Sequence, residues 1–256
     1  ITMSKEAGLN LNCLVNDWEK QYLGDMDVTW NPISLTHVIY PKGDTFAKIL
    51  AYSSLFPIFV VSGFITLIIF RRELHTMVFF GGVLINEILN LTLKHTLKSP
   101  RPCQPGDSKL LMSKHGMPSN HAQFMSFFAV YMILFAYIRM KIHVVEKFTD
   151  NLRRHGIALF SFASTVIVCI SRVYLRYHTI EQVLIGVVIG LVTGSCWFYL
   201  VENFFTPMFC SIVNTKLAEY FLIRDSTNIP DILWFEYTAS RTESRQRSKR
   251  ISQKSQ

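Results

Sequence analysis

Three short polar stretches interrupt a chain whose residues are half hydrophobic. "KHTLKSPRP" carries Lys94 and, seven residues on, Arg101. "GMPSNHAQF" places Pro118 and Ser119 ahead of His121, and "SRVYLRYHTIEQVL" gathers Arg172, Arg176 and His178. Fixed ammonium and guanidinium groups bind phosphoryl oxygens. An imidazole with an unperturbed pKa of about 6.5 serves as nucleophile or proton carrier near neutrality. Ser119 is a favoured N-cap residue at the head of an apolar run, and the N–H groups of a helix start attract anions. Each stretch alone has a plainer explanation. Lys94 and Arg101 would snorkel at a membrane surface, and His121 would be incidental to a capped helix. Their chemistry depends on whether the fold brings them together.

The elements that must do so are apolar. Residues 49–70, 122–138, 156–171 and 182–201 contain no Asp, Glu, Lys, Arg or His, and residues 76–93 carry one charge, Glu87. Runs of roughly 17–25 residues match a bilayer core at about 1.5 Å rise per residue. Buried helices of a soluble bundle would show polar outer stripes, and these do not. The expected fold is therefore all-α, a polytopic membrane bundle of about five spans. Helices are predicted over residues 46–70, 76–97, 119–140, 156–172 and 179–205. A transmembrane core over 46–205 lies between an N-terminal segment, 1–45, and a C-terminal segment, 206–256. Successive spans alternate in direction. The end of the second, the start of the third, the end of the fourth and the start of the fifth then share one face. Lys94, Arg101, Ser119, His121, Arg172 and His178 are predicted to converge there on a phosphate group.

Glu87, Asn90 and Lys94 fall at i, i+3 and i+7 of one helix. An ionisable group inside a span marks a functional region, and Glu87 is expected to support Lys94 or a neighbouring helix. Asn90-Leu91-Thr92 fits the glycosylation pattern but lies within a span, out of reach.

The formal charge is +8. Much of the basic excess lies in residues 241–254 and 94–114. No aromatic side chains interleave with the tail arginines, so nothing there suits nucleic-acid stacking. Arg71, Arg72, Arg139, Lys141, Lys147, Arg153, Arg154 and the basic tail favour a cytosolic location for their face. Residues 1–45 and the 94–119 loop are then on the other side. Residues 1–45 show no short apolar leader, so the first span is expected to act as the targeting signal. The five cysteines lack metal-ligand spacing. Cys169, Cys196 and Cys210 read as buried small hydrophobes, and a Cys13–Cys103 disulfide is left open. Residues 219–241 hold aromatics and Pro230 but no full span. They are expected to pack on the membrane surface or against the bundle.

Lys94 followed after six residues by Arg101-Pro102, Pro118-Ser119-x-His121, and Ser171-Arg172 followed after five by His178 resemble the motifs of the type 2 phosphatidic acid phosphatase superfamily. Within it, "GMPSNHAQFM", "SRVYLRYHT" and "EYFLIRDSTNIPDILWFEYT" are similar to the dolichyldiphosphatase family. The resemblance implies a helical bundle of the phosphatidic acid phosphatase and haloperoxidase kind and a hydrolase without metal or cofactor. His178 would attack phosphorus and form a phosphohistidine, with His121 as general acid and base. Lys94, Arg101 and Arg172 would hold the phosphoryl oxygens, assisted by Ser119 and the Asn120 N–H. The substrate would be a polyprenyl diphosphate lipid, dolichyl diphosphate, cleaved to dolichyl phosphate and phosphate. That reaction recycles the carrier for protein N-glycosylation, in the endoplasmic reticulum membrane with the site facing the lumen.

One position departs from the superfamily pattern, which has Asp four residues after the nucleophile. Here it is Gln182. An amide oxygen can fix the imidazole tautomer, but it stabilises a phosphohistidine cation less than a carboxylate. Gln182 is expected to orient His178, and Glu181 is the alternative source of charge. Two other functions stay open at this point. One is a lipid phosphatase acting on phosphatidate or an isoprenoid monophosphate. The other is a lipid-binding scaffold without catalysis.

Overall fold

The computed structural model describes residues 30–32, 38–41, 43–102, 115–140, 148–229 and 232–254. Five helical segments are long and apolar enough to cross a membrane: Thr45–Arg71, Leu74–Leu97, Asn120–Arg139, Asp150–Tyr174 and Ile180–Val213. This is the all-α multi-pass bundle expected from hydropathy. Cys13 and Cys103 lie outside the described residues.

The first span is broken into α1 (Thr45–Ser53) and α2 (Phe56–Arg71). Pro57 occupies the first turn of α2. It has no N–H to give, and its ring collides with a helical carbonyl four residues back, at Ser53. Asp44 starts α1 by accepting the Ala47 N–H at 3.0 Å, and it accepts the Tyr174 hydroxyl at 2.8 Å. These contacts, led by the Ala47 N–H, hold its carboxyl below the usual range. The second span is α3 (Leu74–Leu97). The third is α4 (Asn120–Leu134), extended by a π-helical turn, Phe135–Arg139. The fourth, α5 (Phe148–Tyr174), begins ahead of the predicted residue 156. Hydropathy marks the membrane rather than the helix. The extra turns carry Asp150, 3.8 Å from Arg153. The fifth span is α6 (Ile180–Leu200), a π-helical turn (Val201–Phe205) and α7 (Thr206–Val213), so helix continues past residue 205.

The third span is central, with half of its apolar stretch buried, against 17–28% in the others. It packs closely on α6, where Gly186, Gly190 and Gly194 recur every fourth residue. A Cβ at these positions would come within 2.8 Å of the Ser119 carbonyl, 2.3 Å of the Gln123 carbonyl and 2.5 Å of Val130. Small residues let the two backbones approach. Aromatic packing fills the centre, with Phe79 stacked on Tyr131 at 3.7 Å. A buried amide ladder sets the register. Asn90 donates to Gln123 at 2.7 Å, Gln123 donates to Asn86 at 2.9 Å, and Thr193 donates to Asn86 at 3.0 Å. In a medium of low polarity such a network fixes one arrangement of helices. Asn90 is fully buried, so its sequon is out of reach.

Apolar side chains also cover the outside, among them Phe59, Leu159 and Phe160. Cys196 and Cys210 are exposed there and Cys169 is half-buried, contrary to the expectation of burial. A small apolar side chain loses nothing by facing lipid. At the end opposite the three motifs, the chain returns after α8 (Lys216–Tyr220) and docks on the first interhelical loop. Arg224 N–H donates to Arg72 C=O at 3.1 Å, and Leu74 N–H donates to Arg224 C=O at 2.9 Å. This C-terminal stretch therefore packs against the bundle, and α9 (Ile232–Lys254) follows as an exposed basic helix. A two-stranded ladder of β1 (Trp30–Pro32) and β2 (Ile39–Pro41) precedes α1.

Candidate active site

His178 is presented by a tight reversal between the fourth and fifth spans. Tyr177 and His178 both donate their N–H groups to the Arg172 carbonyl, at 3.0 and 3.2 Å. Arg176 turns the chain with φ of 58°. Leu175 and Tyr177 anchor the reversal in a small core with Val38, Ala47 and Ala51. Thr179 then starts α6 with a capping box. Its hydroxyl accepts the Gln182 N–H at 3.3 Å, and Gln182 Oε1 accepts the Thr179 N–H at 3.4 Å.

The same Gln182 oxygen lies 3.1 Å from His178 Nδ1. The Gln182 amide nitrogen donates to Pro100 C=O at 2.8 Å. With its N–H₂ engaged there, the amide turns oxygen towards the ring. Nδ1 is thus the donor, and Nε2 keeps its lone pair. Glu181, one residue earlier, is exposed on the outside of the bundle. The structure thus places Gln182, not Glu181, on the histidine.

Three cations surround this ring. Arg101 donates to Tyr177 C=O at 3.4 Å. Arg172 lies 4.8 Å from the centre of the Tyr177 ring and donates to the Ser54 and Ser171 hydroxyls. Lys94 is buried at the end of the second span. Burial, then the Arg101 guanidinium, lower the His178 pKa from its ordinary 6.5 to about 3. Arg172 and Lys94 act in the same direction, and the Gln182 contact opposes them. The imidazole is therefore neutral at pH 7, as a nucleophile requires.

His121 stands in the first turn of α4, within electrostatic reach of Arg172, His178 and Lys94. Ser119 takes the N-cap position as predicted, but its hydroxyl makes no cap bond. It is buried at 0% exposure without a hydrogen-bond partner, as is the Arg172 Nε. Leaving such groups unpaired costs about 1–3 kcal/mol each. An anion bound here would bring the oxygens they lack. The Asn120 side chain donates to Glu87 at 2.7 Å. Glu87 therefore holds the head of the third span, and it reaches Lys94 only through space. Beside His121 lies an apolar crevice of about 320 Å³. Ile58, Val61, Phe80 and Leu84 line it together with Glu87 and Asn120.

One end of the bundle thus assembles Lys94, Arg101, Ser119, His121, Arg172, His178 and Gln182, flanked by Asn120 and Glu87, and leaves Glu181 outside. Sequence reasoning missed Tyr177 and Ser54, which touch Arg172, and the close-packing glycines. The glycines carried a readable signal in their four-residue spacing. Ser54 carried none.

Residues 75–206 match the model of the PAP2 superfamily. The chain belongs to that superfamily and is a membrane-embedded lipid phosphatase. It is 47% identical over 231 residues to Dolichyldiphosphatase 1 of Mus musculus, covering 90% of this chain and 97% of that one. It is 37% identical over 177 residues to Dolichyldiphosphatase of Saccharomyces cerevisiae, covering 66% and 70%. Lipid phosphate phosphatase gamma of Arabidopsis thaliana is 36% identical over 214 residues, covering 82% and 90%.

Proposed function

We propose that this protein hydrolyses dolichyl diphosphate to dolichyl phosphate and inorganic phosphate, recycling the carrier lipid for protein N-glycosylation. The observation that carries the reading is His178, its Nδ1 tied to Gln182 and its ring within electrostatic reach of Arg101, Arg172 and Lys94. The similarity to two dolichyldiphosphatases supports the choice of substrate class.

In the first step His178 Nε2 attacks the terminal phosphorus. The bond from that phosphorus to the bridging oxygen breaks, and dolichyl phosphate leaves with the electron pair. Lys94, Arg101 and Arg172 neutralise the equatorial oxygens, where phosphoryl transfer concentrates charge. In the second step His121 takes a proton from water, which attacks phosphorus, breaks the P–N bond and releases phosphate. The leaving group of the first step is a phosphate monoester with a second pKa of about 6. It needs little proton assistance, which suits a site where Gln182 supplies no charge. The apolar crevice beside His121 gives the polyprenyl chain a place in the bilayer while the diphosphate meets the cations. The reading puts the protein in the endoplasmic reticulum membrane, with the site facing the lumen because Arg71, Arg72, Arg139, Arg153, Arg154 and the basic tail lie at the other end.

The test is phosphate release by the purified protein from dolichyl diphosphate, dolichyl phosphate and phosphatidate, each with and without a chelator. The expected result is fastest turnover of the diphosphate, unchanged by chelation. Preference for phosphatidate would replace the substrate, and loss of activity on chelation would replace the mechanism.

A further inference from the structure

We infer that Ser54, at the break in the first membrane span, is a positioning residue that aims the Arg172 guanidinium at the phosphate. The inference rests on the phosphatase reading above. It concerns a residue outside the 75–206 stretch matched to the superfamily.

The break in the first span creates the contact. In an unbroken helix the Ser54 N–H would donate to the Leu50 carbonyl. Here it donates to Ala51 C=O at 3.3 Å. The freed Leu50 carbonyl accepts hydroxyls instead: Ser53 at 2.7 Å, Ser54 at 3.3 Å and, from the fourth span, Ser171 at 2.8 Å. This draws the Ser54 hydroxyl to 3.0 Å from that of Ser171 and beneath Arg172, whose Nη2 donates to it. Ser54 is 2% exposed and Arg172 3%, so water does not take over the role. The guanidinium is then held twice. Tyr177 lies against its face, and Ser54 fixes one of its nitrogens. Its Nε is left without a partner. The backbone of Ser54 also faces the His121 ring. One break in the first span therefore sets the orientation of a cation supplied by the fourth, before substrate arrives. A donor aimed in advance need not reorganise during the reaction.

The neighbour Ser53 provides the control. Its hydroxyl bonds the same Leu50 carbonyl but does not reach Arg172. Protection by inorganic phosphate against thermal unfolding measures affinity without regard to the lipid, and kinetics on dolichyl diphosphate separates KM from kcat. Ser54→Ala is expected to weaken phosphate binding about tenfold, the scale of one hydrogen bond to a charged group. KM should rise by a similar factor, with kcat falling less. Ser54→Thr should recover most of the affinity, and Ser53→Ala should bind phosphate as the wild type does. Equal losses in Ser53→Ala and Ser54→Ala would show that only the helix break matters and overturn the inference. Unchanged binding in Ser54→Ala would overturn it too. Wild-type protein unprotected by phosphate would overturn the phosphate site itself, and this inference with it.

Discussion

The two ends of the bundle treat their cations in opposite ways. At one end Arg71 and Arg224 share Glu236, at 2.5 and 3.0 Å, and Arg139 meets Glu202 at 2.6 Å. Thr206 and Thr227 accept two further N–H groups of Arg139. These arginines fasten loops and the returning C-terminal stretch. At the other end Arg172 rests on serine hydroxyls and a tyrosine ring, and its Nε has no partner. Among the described residues neither Arg172 nor Lys94 forms an ion pair with a carboxylate. A cation matched by a carboxylate has spent its field on the fold. One held by neutral groups keeps its charge for an anion, at a cost in stability that a bound ligand offsets.

The sharpest way to break this contrast is at His178, the nucleophile of the proposed reaction. His178→Ala should lower kcat by at least about 10⁴-fold while the protein stays folded, as expected when a covalent route is removed. Retained turnover on dolichyl diphosphate would end the enzyme reading of this end. Arg172→Lys comes next. It keeps the charge but loses the planar fork, and kcat/KM should fall about 100-fold. Gln182→Ala should cost about tenfold in kcat through loss of the imidazole tautomer, while Glu181→Gln should change little. The reverse order in steady-state assays would give the orienting role to Glu181.

The acid limb of kcat/KM sharpens the comparison further. Because burial and then Arg101 hold the His178 pKa at about 3, protonation of this ring should not set the acid limb near neutrality. In Arg101→Met the pKa should rise towards its ordinary value and the acid limb should move to higher pH. The linkage to stability has a definite sign. The folded pKa lies below the unfolded one, so below pH 6.5 the unfolded chain binds the extra proton. Stability from this group is complete above that pH and declines as pH falls towards 3. His178→Gln should therefore lose less Tm than the wild type between neutral and acidic buffer. The smallest effect belongs to the opposite end. Glu236→Gln should leave kcat within about twofold and lower stability by about 1 kcal/mol or less, since its pairs are partly exposed. A large activity loss there would mean that the two ends are coupled.

Much of this molecule was legible in the chain. Apolar runs of membrane length, uncharged but for Glu87 in the second, marked all five spans, and alternation of direction put Lys94, Arg101, His121, Arg172 and His178 on one face. The broken first span was less legible, since Pro57 sits in an unbroken apolar run. The early start of α5 was hidden by its charges. Glu87 was recognised as a support for Lys94 or a neighbouring helix, and its partner is Asn120, on the next span.

What the sequence alone determined is which cations and histidines are present, the chemistry they could carry, and on which face they meet. Hydropathy and residue type are local properties, and a helix fixes its own direction. What only the tertiary structure decided is how those groups are aimed. The choice of Gln182 over Glu181, the carbonyl of Pro100 that turns its amide, and the hydroxyl of Ser54 under Arg172 all depend on contacts between distant segments. The serine and the arginine are 118 residues apart. No spacing rule links them, because their meeting depends on a helix break that frees the Leu50 carbonyl in the first span and on the packing that brings the fourth span to it.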